Sequence, residues 1–467
     1  MSQLRDNIRR LAYVPVIGFL ALCVFLGYWQ VIEAQSLHDS KYNNRGEQRR
    51  KLIKPGRILA RDGSVILESE KAEDGTWTRK YADPEVYCHL TGYDYKTGLQ
   101  QGLQDALMGE GKYVDPWRRL MSGHPAGCDV VLTIDPQAQK VATEALRGQK
   151  GAVVALDPRT GAVLALVSAP TYKPDEVLKT SYEYELFQQN PDAPELFRPL
   201  QGLYPPGSVF KIFTAAAGID LGVTTPKTQY ECTGQLKVDQ STVKCRRPEG
   251  HGKLDLTWAL ADSCNVTFAQ VGLKIGPDKY ADYIKRFHLL DTTTLPIQGT
   301  LGRMADFKGF KGRVQLANAA YGQGLDALTP FSIARMVATI ARGGEAFQPY
   351  IVQRVQTTEG ALLEEGRATV LGQAVQQAAA KQVTNMMVDV VEKGTGRRVR
   401  IAGVKVAGKT GSAENPHGET HAWFVAFAPA EAPQVAIAVV VENAGAGGEN
   451  AGPIARAVMQ VLLKSAS

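Results

Sequence analysis

A chain of 467 residues has room for two or three domains, and 44% hydrophobic with 21% charged residues is the composition of folded material. The formal charge of +6 is small for this length, and no block of Lys and Arg is interleaved with aromatics, so nucleic-acid binding has no support. No fixed-period repeat marks a solenoid or propeller.

In chain order, the first informative segment is Leu11 to Ile32, LAYVPVIGFLALCVFLGYWQVI. It holds no charged residue and is long enough to cross a bilayer core of about 30 Å. Tyr13, Tyr28 and Trp29 stand near its ends, where aromatic rings favour the interface. A cleavable signal peptide would have a shorter apolar region and a small-residue cleavage site, whereas this segment ends in YWQVIE. One uncleaved transmembrane helix is therefore expected. Arg5, Arg9 and Arg10 precede it, while Lys41, Arg45, Arg49, Arg50 and Lys51 follow. A bare count points the wrong way, but Arg9 and Arg10 abut the apolar run and near charges weigh most. The expected arrangement is residues 1–10 in the cytoplasm and the bulk of the chain outside.

Residues 33–128 read as a polar linker followed by short mixed elements. Arg61-Asp62-Gly63-Ser64 is a turn leading into a strand at Val65-Ile66-Leu67. The pattern changes at Asp129, where DVVLTI reads as a strand and Asp135-Pro136 opens a helix. In GAVVALDPRTGAVLALVSAP, two apolar runs flank Asp157-Pro158-Arg159-Thr160-Gly161, a hairpin signal. Helices and loops dominate from Pro205 to about Gly343. Strands return at 404–408, 422–429 and 434–442, and GPIARAVMQVLLK closes the chain as a helix. Strands at both ends with helices between them predict an α/β sandwich on an antiparallel sheet.

The six cysteines are Cys23, Cys88, Cys128, Cys232, Cys245 and Cys264. None forms a CxxC pair or shows zinc-ligand spacing, so neither a metal site nor a cofactor is expected. Cys232 and Cys245 flank a short polar segment with hairpin character; a disulfide in an exported domain and two unpaired thiols both remain open. Cys264 reads as a packing residue.

Three short elements carry chemistry. In Tyr204-Pro205-Pro206-Gly207-Ser208-Val209-Phe210-Lys211 a proline-glycine turn places Ser208 at a helix start, and Lys211 one turn on shares its face. A serine hydroxyl needs a base to become a nucleophile, and an amine serves if burial or a second cation lowers its pKa. Alone, Ser208 reads equally as a helix cap, and a second SxxK exists at Ser241–Lys244 inside the polar cysteine segment. Ser263-Cys264-Asn265 falls between two helical patterns, where a hydroxyl and an amide can relay a proton and hold a carbonyl, or merely cap. Lys409-Thr410-Gly411-Ser412 follows a strand and suits a carboxylate; its bland alternative is a strand-end turn. Lys96-Thr97-Gly98 repeats this pattern without a preceding strand.

Together, SxxK, SxN and KTG in this order resemble the penicillin-binding protein and β-lactamase arrangement. GAVVALDPRTGAVLALVSAP, YPPGSVFK, GQGLDALTP and AGKTGSAE extend the resemblance to the transpeptidase domain of class B penicillin-binding proteins, over roughly residues 129–465. KPGRILARDG resembles the opening of that family's pedestal domain, with Ala60 where an acidic or aromatic residue is more usual. The resemblance implies an α+β penicillin-binding/β-lactamase-like transpeptidase fold, an antiparallel sheet sandwiched by helices. It assigns 11–32 to a transmembrane helix, 33–128 to a short non-catalytic pedestal and 129–467 to the transpeptidase domain. The short pedestal leaves no room for a glycosyltransferase domain.

The resemblance also implies roles. Ser208 attacks the penultimate D-alanine carbonyl of a D-Ala-D-Ala stem, and β-lactams acylate it in the same way. Lys211 is the base, kept partly neutral by burial and by Lys409. Ser263 passes the proton to the leaving D-alanine, and Asn265 holds Lys211 and the substrate amide. Lys409 and Thr410 bind the terminal carboxylate, Gly411 admits close backbone approach, and the backbone N–H groups of Ser208 and Ser412 form the oxyanion hole. Gly322-Gln323-Gly324 shapes the rim. Peptidoglycan stem peptides, β-lactams and a multispanning SEDS-type glycan polymerase are the implied partners. The rivals are a carboxypeptidase, a β-lactamase that would lack the anchor and pedestal, and a non-enzymatic penicillin sensor with more membrane spans.

Overall fold

The computed structural model describes residues 2–33, 52–114, 127–177, 179–309, 311–324, 326–415 and 418–465. The chain divides into two compact units, residues 1–54 with 70–78 and residues 55–69 with 79–467.

In the first unit, helix α1 (Ser2–Gly27) continues into a π-turn at Tyr28–Ile32. Its stretch Leu11–Gln30 has a mean hydropathy of 2.2, and none of it is buried within the chain. An apolar helix of this length with no protein cover fits a single-pass membrane anchor. Trp29 packs edge-to-face on Phe25 and Tyr28 near the helix end. The cations Lys41, Arg45, Arg49, Arg50 and Lys51 lie outside the described residues.

The second unit begins with strands β1 (Ile58–Leu59) and β2 (Val65–Lys71), followed by β3 (Trp77–Tyr81), which straddle the two units, and β4 (Asp129–Leu132). The expected turn between β1 and β2 forms because Asp62 Oδ1 accepts both the backbone N–H and the hydroxyl of Ser64. Helix α2 (Pro136–Ala145) starts where Asp135 caps Gln137 and Ala138, with proline at its first position. β5 (Gly151–Leu156) and β6 (Val163–Ala169) pair as the expected antiparallel hairpin. After helix α3 (Lys211–Asp220) come four short strands: β7 (Gln229–Cys232), β8 (Gln235–Val238), β9 (Ser241–Lys244) and β10 (Gly252–Asp255). The β8–β9 hairpin matches the reading of the cysteine segment, whereas β7 pairing with β10 was hidden because four-residue strands with exposed alternate positions carry little apolar signal.

Helices α4 (Leu256–Ala261), α5 (Asn265–Ile275) and α6 (Pro330–Ala341) lead to β11 (Glu345–Gln348), β12 (Val352–Gln356), β13 (Leu362–Glu365) and β14 (Thr369–Gln373). Helix α7 (Gln377–Glu392), strands β15 (Ala407–Ala413), β16 (His421–Ala428) and β17 (Val435–Val441), and helix α8 (Ala451–Ser465) complete the fold. One sheet has the order β13-β12-β4-β1-β2-β3, so β4 pairs parallel with β1 and antiparallel with β12. That sheet continues across residue 129.

The sheet that matters for chemistry has the order β15-β16-β17-β5-β6 and is antiparallel throughout. Its strands are buried on both faces, and the two-residue side-chain period sorts them cleanly. Trp423, Val425, Phe427, Ala438 and Val440 enter one core with α3, α6 and α7 residues, while Phe424, Ala426, Ile437 and Val439 enter a second core with α2 and α8. This is the helix-sheet-helix sandwich expected. One boundary differs. The strand expected at 404–408 starts at Ala407 and runs through Ala413, so Lys409-Thr410-Gly411-Ser412 lies inside an edge strand and is no strand-end turn.

Candidate active site

Ser208 sits on a turn that the fold grips from several sides. Tyr204 exchanges two backbone hydrogen bonds with Leu328, 3.1 and 2.9 Å. Pro205 and Pro206 then stiffen the chain, Gly207 takes φ 57°, and a 3₁₀ turn Gly207–Phe210 runs into α3. The Gly207 N–H donates to the Gly322 carbonyl at 2.8 Å. Gly322 has φ 81°, and a Cβ there would meet the Gly207 oxygen at 1.9 Å, so only glycine lets these backbones touch. Gly322 thus supports the Ser208 turn through its backbone, within the turn that is the plain reading of Gly322-Gln323-Gly324.

Three side chains that sequence did not single out complete this grip. The Trp423 indole N–H donates to Pro205 O at 3.0 Å. Glu442 Oε1 accepts from the Tyr204 hydroxyl and from Arg198 Nε, both at 2.7 Å. Arg198 also donates to the carbonyls of Ala193 and Asp192, which satisfies a buried guanidinium. No local pattern ties residues 198 and 442, which meet only in the folded chain.

Lys211 is fully buried beneath Ser208. Its Nζ lies 2.9 Å from Ser208 Oγ, 2.7 Å from Ser263 O, 3.0 Å from Ser263 Oγ and 2.7 Å from Asn265 Oδ1. No carboxylate is among these partners, and burial pushes the ammonium down to about 7. A neutral amine has two N–H donors and one lone pair. The Ser263 carbonyl and the Asn265 amide oxygen can take the N–H groups, which leaves the lone pair for the Ser208 hydroxyl proton. Ser263 holds φ 61°, a left-handed conformation that costs a non-glycine residue energy and persists only under firm constraint. Asn265 opens α5, and its amide N–H donates to Lys244 O at 3.0 Å.

The third element faces these groups from β15. Thr410, Gly411 and Ser412 line the same cleft of about 740 Å³ as Ser208, Ser263 and Asn265. Lys409 is fully buried behind it, with Nζ donating to Thr410 O at 2.9 Å. Burial lowers Lys409 well below the ordinary lysine range, and repulsion from Lys211 and then Arg246 adds to this. Burial is the first cause for both lysines, and repulsion between the two cations works in the same direction. A Cβ on Gly411 would meet Trp423 Cβ at 2.9 Å and Val209 Cγ1 at 3.0 Å, so glycine brings β15 against the nucleophile turn. Thr410 Oγ1 lies 2.7 Å from Thr395 Oγ1, a partner the sequence did not suggest. Lys244, Arg246, Arg397 and Arg398 with Glu414 and Glu449 give the cleft a mostly cationic lining.

The two decoy motifs separate from this site. Ser241 is exposed on the β8–β9 hairpin, and Lys96 pairs with Asp94 beside a short helix. The cysteines bring a correction. Cys232, Cys245 and Cys264 are not joined by a disulfide, and their Sγ atoms gather with a ring nitrogen of His251 within 4.8 Å of one another. Linear spacing argued against a metal site because these residues come from three separate places, the end of β7, the β9–β10 loop and the start of α5. Such a set of soft donors has the chemistry to hold a metal ion, and Cys264, fully buried in the main core, is one of its members.

Comparison with known proteins agrees with this geometry. Residues 151–460 match the penicillin binding protein transpeptidase domain, and residues 55–130 match the penicillin binding protein A dimerisation domain. The chain is 33% identical to the peptidoglycan D,D-transpeptidase PbpA of Mycolicibacterium smegmatis, over 99% of this chain and 100% of that protein. It is 32% identical to the peptidoglycan D,D-transpeptidase MrdA of Haemophilus influenzae, over 79% of this chain and 62% of that one. A ceftriaxone acyl-enzyme complex of penicillin-binding protein A from Mycobacterium tuberculosis superposes with a TM-score of 0.83 at 31% identity, covering 89% of this chain and 99% of that one. A D,D-transpeptidase domain from Eggerthella lenta gives 0.81 at 31% identity, over 89% and 99%. With the SxxK, SxN and KTG elements assembled around one cleft and relatives matched from end to end, the chain belongs to the class B penicillin-binding proteins.

Proposed function

We propose that this chain is a peptidoglycan D,D-transpeptidase working through an acyl-enzyme on Ser208. The observation that carries the reading is the buried Lys211 amine, 2.9 Å from Ser208 Oγ with no carboxylate to keep it charged. Lys211 takes the hydroxyl proton as Ser208 attacks the penultimate D-alanine carbonyl of a D-Ala-D-Ala stem. Backbone N–H groups of Ser208 and Ser412 receive the developing oxyanion, a role supported by the tight approach of Gly207 to the Ser412–Ala413 backbone. Ser263 carries the proton towards the departing D-alanine, and Asn265 holds Lys211 and the substrate amide. Thr410 meets the terminal carboxylate, and the arriving anion favours the charged form of Lys409 behind it. An amine from a second stem peptide then resolves the ester and forms the cross-link.

The same reading places the bulk of the chain outside the cytoplasm on its N-terminal anchor, with residues 33–128 as a pedestal and a SEDS-type glycan polymerase as membrane partner. Labelling with a fluorescent penicillin tests the centre of it. Wild type is expected to label stably and Ser208→Ala to remain dark; equal labelling removes Ser208 from its role. Rapid turnover of the drug by wild type would transfer the chain to the β-lactamase reading.

A further inference from the structure

The thiol-imidazole cluster lies beside the catalytic loop, and nothing in the acyl-transfer scheme uses it. Cys232 ends β7, Cys245 follows β9, His251 precedes β10, and Cys264 caps α5 between Ser263 and Asn265. Cys232 and Cys264 are completely buried and Cys245 nearly so. His251 Nδ1 is 3.5 Å from Cys232 Sγ and 3.4 Å from Cys245 Sγ, and Cys245 Sγ is 3.8 Å from Cys264 Sγ.

These distances have a simple meaning. A tetrahedron with Zn–S bonds of about 2.3 Å and Zn–N bonds of about 2.0–2.1 Å has S···S edges of about 3.8 Å and S···N edges of about 3.5 Å. The three separations above match those edges. A disulfide would instead need sulfurs about 2.05 Å apart and would leave the remaining thiol and the imidazole without a purpose. Four ligands, with no fifth donor grouped with them among the described residues, describe a closed, structural site, and three thiolates with one imidazole favour Zn²⁺ over hard cations. Supporting bonds are also present: Cys264 Sγ accepts from the Thr267 N–H at 3.4 Å and the Thr267 hydroxyl at 3.2 Å, and the His251 backbone N–H donates to Cys232 O at 3.0 Å, which holds those two segments together.

We propose that Cys232, Cys245, His251 and Cys264 form a structural zinc site that fixes the Ser263–Asn265 loop against the β7–β10 wall of the cleft. Metal binding displaces the thiol protons and ties the end of β7 and the β9–β10 loop to the residue that separates Ser263 from Asn265. The left-handed backbone of Ser263 and the Lys211 contacts on either side of Cys264 then have a rigid support.

The test uses the full chain in detergent, stripped with a chelator under reducing conditions and titrated with Zn²⁺ alone. Elemental analysis is expected to return one zinc per chain, and Co²⁺ to give the visible bands of a tetrahedral centre with thiolate charge transfer in the near ultraviolet. Cys232→Ser, remote from the reacting atoms, should weaken zinc retention by at least about tenfold. Stripped protein should react with fluorescent penicillin about tenfold more slowly and recover on adding Zn²⁺. Failure of the wild type to retain zinc or develop the cobalt spectrum overturns the site, as does a native Cys245–Cys264 disulfide found by peptide mass analysis. An unchanged acylation rate in stripped protein overturns the coupling to the loop. The acylation arm rests on the Ser208 reading, so Ser208→Ala is run alongside. It should bind zinc normally without labelling, which separates failure of either idea from the other.

Discussion

The two walls of the cleft are held by different kinds of force. On one side, β15 pairs residue by residue with β16 from Ala407↔Phe427 to Ala413↔His421, and its sheet is buried on both faces. On the other, Lys244 to Arg246 and the Ser263–Asn265 loop stand on two-stranded pieces, β7–β10 and β8–β9, and on individual side-chain contacts. An isolated two-stranded ribbon is marginal in water, whereas a laddered strand in a packed sheet shares its load among many bonds. The wall proposed to receive substrate is thus built to resist change. The wall that positions the proton carrier depends on a few contacts, so single substitutions there should cost more in rate.

The largest expected effects fall where the loop wall meets the nucleophile. Ser208→Ala should abolish acylation by fluorescent penicillin while leaving the melting temperature near that of wild type, because the half-buried hydroxyl is small. Lys211→Met should slow acylation by about 10²–10⁴-fold, the range for removing a general base. Wild-type acylation should rise with pH up to about 7 and level above it, following the neutral amine, and the variant should lack this inflection.

Stability gives a second reading of Lys211. Its folded pKa of about 7 lies below the ordinary 10.5, so between these values the unfolded chain binds the extra proton. Folding stability therefore gains from this group as pH rises from about 7 to 10.5 and loses it as pH falls back through that window. Denaturant midpoints at several pH values in this window should show a shallower rise for Lys211→Met than for wild type. An identical slope would mean that Lys211 stays charged in the folded protein.

Asn265→Ala comes next. It removes one acceptor from Lys211 and the donor to Lys244 O, two contacts across the loop wall. Loss of about 1–3 kcal/mol from an unsatisfied buried partner predicts acylation slower by roughly ten- to a hundredfold. If the loss stays below twofold, the loop wall is better supported than its contacts suggest.

How much of this was legible in the sequence follows the same division. The β5–β6 hairpin, the cap at Asp135, α8 and the central strands were readable because apolar periodicity and turn chemistry are local. The three catalytic elements were readable as motifs, and the fold brings Ser208, Lys211, Ser263 and Asn265 within hydrogen-bond reach. What escaped was built from distant partners. Arg198 meets Glu442 across 244 residues, Thr395 meets Thr410 from a loop, and Cys232, Cys245, His251 and Cys264 converge from three separate places in the chain. The extent of β15 was misjudged because Lys-Thr-Gly-Ser has weak strand character by itself; pairing with β16 supplies the strand.

The smallest effect is expected on the laddered wall, and it tests the comparison most sharply. Thr395→Val removes a hydroxyl 2.7 Å from Thr410 Oγ1 and leaves the β15 ladder untouched. Thr410 keeps its place in the strand and loses only the partner that orients its hydroxyl. One neutral hydrogen bond is worth about 0.5–1.5 kcal/mol, which is roughly two- to tenfold in an equilibrium constant. The change should appear in KM for a D-Ala-D-Ala peptide, whose carboxylate Thr410 is proposed to bind, with kcat and melting temperature nearly constant. A fall in kcat with KM unchanged would instead show that Thr395 acts on the reacting centre. The laddered wall would then be no more forgiving than the loop that faces it.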